Sequence, residues 1–210
     1  MADPVCVRCD GPLVPLNGTG RWTCARDGEV EPLHLAVPAE PQHVADTAAS
    51  AGVPLWVPWP MPRGWVASGL RRTATRGLAR GVVLALTGPG VTVHQAELLL
   101  VAEEPGVGLG AAYAGLDTGD PGPELASLPA DTKVTADGHS IPLWSLPVLG
   151  ADRGVYVGEA AGCWLWVVVW PVTEWMVVHD DLRLVDLRSP ENHLAAASLT
   201  VGHVSPRLTR

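Results

Sequence analysis

The sequence predicts an α+β fold: a small zinc-ribbon-like N-terminal module followed by a mainly antiparallel β-sheet body with few helices. Three of the four cysteines, Cys6, Cys9 and Cys24, fall in a polar, glycine-bearing N-terminal stretch. From Trp65 onward, short Val- and Trp-rich runs are punctuated by Gly, Pro and Asp, the pattern of strands joined by turns. Hydrophobic residues make up 47% of the chain and charged residues 17%, the reverse of a disordered composition, so a well-buried core is expected.

Residues 1–37 form the expected metal module, and residues 38–62 hold a helix and a Pro/Trp-rich linker. The helix is placed over 41–51, with Pro41 at its first turn. Residues 53–62 contain Pro54, Pro58, Pro60 and Pro62, which rule out helix and central strand, so an extended aromatic segment is expected. The body spans 63–190, with strands expected at 64–70, 81–86, 96–102, 133–135, 155–157, 163–170, 175–179 and 182–187. The runs 160–170 and 175–187 read as a hairpin or meander, and Asp137-Gly138 as a tight turn. A short helix is placed near 123–128. Residues 191–210 are expected to be a less ordered tail, with a further element over 194–200.

The chemistry is concentrated at the N-terminus. Cys6-x-x-Cys9 is followed, after 14 residues, by Cys24-x-x-Asp27-Gly28, the layout of two zinc knuckles with one ligand altered. Structural Zn²⁺ is held tetrahedrally by four ligands, and Asp27 occupies the fourth position with a carboxylate that binds less tightly than thiolate or imidazole. His34 is the alternative fourth ligand. Gly11 and Gly28 sit where the turns need left-handed backbone, and Trp22 is a strand residue covering the site. A redox-active CxxC and a ribbon that has lost its metal are competing readings. A module this small depends on its metal for folding energy.

Elsewhere each chemical reading has a plainer alternative. Glu103 and Glu104 could act together as metal ligands or as acid and base, but neighbours on a strand point to opposite faces, so a solvated strand end is the plainer reading. Gly106-Val107-Gly108-Leu109-Gly110 resembles a phosphate loop, yet it lacks the third glycine of the dinucleotide pattern and the Gly-Lys ending of a P-loop. His179-Asp180-Asp181 reads as a hairpin tip, His94 and His139 as surface turns, and Cys163 as a buried thiol. Trp56, Trp59 and Trp65 could line a ligand or partner surface, although a chain with nine Trp and no Phe must use Trp in its core. Arg63, Arg71, Arg72, Arg76 and Arg80 cluster without an acid among them and read as a solvated face. No nucleophile elbow, HExxH or kinase pattern is present.

The net charge of −8 argues against broad nucleic-acid binding and against docking on an anionic membrane. No stretch reaches the ~20 apolar residues of a spanning helix, and the first residues do not read as a signal peptide. A cytoplasmic location is therefore expected. The scarcity of Ile, Lys and Phe points to a high-GC bacterial genome.

The phrases "VPLWVPWPMPRGW", "ELLLVAEEPGVGLGAAYAG", "VYVGEAAGCWLWVVVWP" and "DDLRLVDLR", together with the N-terminal cysteines, resemble an uncharacterised family of high-GC Gram-positive bacteria. The resemblance covers nearly the whole chain and implies a Cys-Cys-Cys-His site, from which this sequence departs at Asp27. A phosphotransacetylase label sometimes attached to similar chains has no support here, because that enzyme class is larger and built from parallel βαβ units. The expectation is a non-enzymatic adaptor or regulatory protein with structural Zn²⁺, binding a protein or small molecule. An enzyme of unrecognised type, using a cleft near Glu103, Glu104 and the glycine loop, is the alternative.

Overall fold

The computed structural model describes residues 3–16, 19–117, 119–122, 125–147, 152–179 and 182–209. The N-terminal segment supplies β1 (Val5–Cys6), β2 (Leu13–Leu16), β3 (Arg21–Cys24), β4 (Gly28–Val30) and β5 (Pro32–Leu33), followed by α1 (Pro41–Ser50). β6 (Trp56–Pro58) precedes three long strands, β7 (Val66–Thr75), β8 (Leu78–Gly88) and β9 (Ala96–Glu103), and then α2 (Leu109–Ala114). After these come β10 (Thr132–Ala136), β11 (His139–Ser145), β12 (Gly154–Ala160), β13 (Cys163–Trp170), α3 (Met176–His179), β14 (Arg183–Asp186) and α4 (His193–Ala197).

Among the described residues, eleven strands join in the order β1-β5-β7-β8-β9-β13-β12-β11-β10-β14-β6, and β2-β3-β4 form a separate small sheet. Pairing is antiparallel throughout except between β10 and β14. The large sheet curls, bringing β6 back against β9. One face therefore encloses Leu84, Leu98, Leu100, Leu165, Val167 and Trp56. The opposite face carries Val83, Leu99, Val101, Trp166 and Val168, covered by α2 and by Cys6, Val7 and Cys24 of the N-terminal segment. Burial on both faces is why β9 and β13 read as unbroken apolar runs instead of alternating ones.

Three hairpins turn on a left-handed residue followed by left-handed glycine: Arg76-Gly77, Asp137-Gly138 and Ala161-Gly162. That backbone matches the twist of the flanking strands. The last of these joins β12 to β13, so the hairpin expected between 160–170 and 175–187 is displaced. Residues 172–179 are helical, not a strand. Glu174 fixes them, accepting from the Val91 and Thr92 N–H groups and the Thr92 hydroxyl.

β11, which contains Pro142, is a strand additional to those expected from the pattern. The proline is tolerated where the strand pairs with β10, opposite Lys133. Within 53–62, the proline-rich run supplies the terminal strand of the sheet, the position where a strand can lack donors. In the tail, an element overlaps the stretch where 194–200 is expected to add one. The tail forms α4, bridges Ala67 through Val201 and buries Ser205 and Leu208. Of the helix expected near 123–128, Leu125–Ser127 form a single 3-10 turn, and Pro123 and Glu124 lie outside the described residues. Among the described residues no helix is long and apolar enough to cross a membrane.

Candidate metal centre

Cys6 ends β1, and the chain then reverses within a tight loop: Asp10 N–H donates to Cys6 O at 3.0 Å, and Cys6 N–H to Gly11 O at 2.8 Å. Asp10 adopts a left-handed φ of 55° to complete the turn. Cys24 ends β3, and Gly28, with φ 69°, opens β4 directly opposite it. The two turns face each other. A Cβ on Gly11 would stand 3.2 Å from the Cys9 sulfur, so glycine there leaves the space that the sulfurs occupy.

Cys6, Cys9, Cys24 and Asp27 bring one ligand atom each within 4.8 Å of one another, close enough to hold one metal ion. Asp27 Oδ2 is 3.2 Å from Cys6 Sγ and 3.5 Å from Cys24 Sγ, and the Cys9 and Cys24 sulfurs are 3.5 Å apart. All four cysteines of the chain are free thiols. Burial pushes the Cys6 and Cys9 thiols up, with the Asp27 carboxylate adding to it. Burial also acts on Cys24, but the backbone N–H groups of Asp27 and Arg26 together with the Cys9 and Cys6 thiols outweigh it and hold this thiol below its usual value. Hydrogen bonding from Cys9 holds Asp27 low as well. Cys24 and Asp27 are thus biased toward their charged forms, and the charge of a bound cation would draw the Cys6 and Cys9 thiols the same way.

His34 takes no part in the cluster: its Nε2 lies 3.3 Å from Ala74 O. Nor does the CxxC lie at a helix N-terminus, the setting that tunes redox motifs of the thioredoxin kind.

The knuckle is anchored from below. Arg8, between the first two cysteines, donates from Nη2 to Gly106 O at 2.6 Å and from Nε to Val107 O at 3.3 Å. Its partner is the glycine loop, in which the Gly106, Val107, Leu109 and Gly110 amides are already engaged. Glu103, fully buried, accepts from Leu109 N–H at 2.5 Å and Gly110 N–H at 3.0 Å. These amides are thereby closed to a phosphate, and Glu103 is not the solvated strand end that its position suggested. Burial pushes the Glu103 carboxyl up to about 7 against the pull of the Gly110 and Leu109 amides. Glu104 turns the other way, onto Arg80 at 2.7 Å. The pair does not converge on a common point.

A sequence family described only as a family of unknown function, DUF6758, matches residues 1–208. The chain belongs to DUF6758. No curated protein and no solved structure matches it.

The remaining candidates of this DUF6758 chain divide by burial. Trp56 and Trp65 are core residues, while Trp59 is half-buried and lines an apolar groove with Trp65 and the neighbouring prolines. Trp in place of Phe brings polar atoms inside: the indole N–H groups of Trp56, Trp166 and Trp170 are buried without a well-formed hydrogen bond among the described residues, those of Trp166 and Trp170 lying near the Glu103 and Asp152 carboxylates. Cys163 is buried, and its thiol is pushed up by desolvation. His94 and His139 are exposed. Asp180 and Asp181 lie outside the described residues.

The arginine cluster is not a uniform solvated face. Arg71 is buried and donates to His34 O at 2.7 Å and Leu208 O at 2.8 Å, and Arg80 bridges Glu104 and Glu31. Sequence reasoning missed Arg8 and Asp120, whose roles depend on the loop that folds back onto them.

Proposed function

We propose that Cys6, Cys9, Cys24 and Asp27 hold a structural Zn²⁺, and that the protein is a non-catalytic adaptor or regulatory protein whose metal fastens residues 1–37 to the sheet. The observation that carries this reading is the closed set of four donor atoms within 4.8 Å. Zinc–sulfur bonds of ~2.3 Å in a tetrahedron place ligand atoms roughly 3.8 Å apart, so shifts of about 1 Å or less complete the site. Three thiolates favour zinc over the hard cations, which prefer oxygen. A full shell of protein ligands leaves no open position of the kind that activates water. Bound there, zinc would supply charge compensation and a crosslink between the two turns.

Reduced thiols suit a cytoplasmic setting, and the net charge of −8 disfavours nucleic acid as the partner. The enzyme alternative receives less support, since Glu103 and Glu104 are each committed to internal partners.

Native mass spectrometry of the untagged chain, before and after a strong chelator, tests the metal. One zinc per chain, absent in Cys24→Ser and weakened in Asp27→Ala, is the expected result. A metal-free native protein whose melting transition ignores both zinc and chelator would overturn it.

A further inference from the structure

A second site lies across β11, β12 and β13, on the sheet face that also carries Trp166. Trp144 stands opposite Val157, and Glu159 opposite Trp164. Residues two apart on a strand share a face, so Trp144, Glu159 and Trp164 all project to the same side. Pro105, Asp120 and Leu125 wall that side off and leave a cleft of about 490 Å³, which is the scale of a small-molecule site rather than of a flat protein interface.

Its chemistry is one-sided. Asp120 Oδ1 accepts from the Trp164 indole N–H at 3.1 Å and from Gly106 N–H at 3.0 Å, fixing that wall. The Trp144 indole N–H donates to Leu128 O at 2.9 Å. Both indoles are held by their only polar atom, which leaves carbon surface to line the cleft. Glu159 is exposed and has no hydrogen bond or ion pair among the described residues, and no Lys or Arg lines the cleft. An anion would be repelled here. A neutral apolar ligand would cover Glu159 without pairing it, which is unfavourable. Two indoles beside two carboxylates match a cation with an apolar coat, attracted both by the ring quadrupoles and by full charges.

We propose that the Trp144–Glu159–Trp164 cleft binds a small organic cation of the alkylammonium or quaternary ammonium class. The proposal rests on the reading of the protein as a binding module, and not on its metal.

Choline is the probe, and 3,3-dimethylbutan-1-ol, with carbon in place of the nitrogen, is its neutral counterpart. Both are titrated by calorimetry into the full metal-loaded chain. Saturable binding of one choline is expected, with the alcohol at least about tenfold weaker. Glu159→Gln, at an exposed position, should weaken choline about fivefold or more, and Trp144→Leu should do likewise while the melting transition shows both variants folded. Three outcomes overturn the proposal: no choline binding, equal binding of the alcohol, or affinity unchanged in Glu159→Gln. Tighter binding of a lysine-bearing pentapeptide than of choline would also overturn it, assigning the cleft to a protein partner. Stoichiometric zinc without choline binding would sink this proposal alone, and choline binding in a chain that takes no zinc would sink only the metal reading.

Discussion

Glu103 shows how a single residue can carry opposed forces. Two amide N–H groups favour its ionised form and burial favours the neutral acid, and burial prevails, moving the carboxyl from an ordinary 4.5 to about 7. The native state thus holds this proton more tightly than the unfolded chain does. The stability contributed by the group is complete below about pH 4.5 and is lost as pH rises through about 7, a change of roughly 3 kcal/mol. Urea unfolding of the native protein and of Glu103→Gln between pH 5 and 8 should show the difference between them drifting by that order. Parallel pH profiles for the two would rule out the assignment. Residues of this kind are the hardest to read in a sequence. Cys6, Cys9, Cys24 and Asp27 were legible because their chemistry lies in local spacing. The partners of Glu103 are the amides of a loop six and seven residues ahead, and only the turn at Gly106 and Gly108, both with left-handed φ, brings them back.

Elements were legible where propensity and environment agree. The helix over Pro41–Ser50 and the strand Cys163–Trp170 fall where pattern places them. Residues 172–179 do not, because the buried Glu174 carboxylate ties a turn to the loop at Val91 and Thr92, overriding the strand preference of Val177 and Val178. At the β12–β13 hairpin the reverse bias can be tested. Ala161 is held at φ 54°, a conformation that costs a non-glycine residue about 1 kcal/mol or more. Ala161→Gly should therefore stabilise the protein by about 1 kcal/mol in urea unfolding, despite the greater freedom glycine gives the unfolded chain. Destabilisation by that substitution would show that the turn is not under this strain.

For the whole molecule, the last described residues seal the core. Leu208 is fully buried, its carbonyl accepts from Arg71 and from the Tyr113 hydroxyl, and Ser205 and Arg207 both reach Glu97. Arg207 also lies 5.2 Å from the centre of the Trp170 ring. Leu208→Ala should cost about 3 kcal/mol, the ordinary range for emptying a buried leucine site. At this chain size that corresponds to a fall of roughly 6–12 °C in the melting temperature, and a fall of under 2 °C would deny the segment its structural role. This closure was hidden in the sequence because residues 199–209 follow neither helix nor strand periodicity, and Ser205 and Leu208 alone among them are buried. Mainly antiparallel pairing was legible, by contrast, from evenly spaced strands and turns. Strand order was not, since β13 pairs with β9 across a gap in sequence that holds α2 and three other strands.

The position of β1 and β5 at one end of the sheet has a consequence for how the molecule behaves in company. A sheet border with free N–H and C=O groups is a template for a second chain. At one border Pro58 of β6, with Pro54 and Pro60 flanking the strand, reduces the donors on offer. At the other, β5 and the His34 and Val37 amides occupy the outer side of β7, and β1 caps β5 in turn. Loosening the cysteine turns would uncover that border together with the part of the sheet face that Cys6, Val7 and Cys24 cover. Disruption of the Cys6, Cys9, Cys24 and Asp27 cluster should then show first as self-association, ahead of any loss of secondary structure.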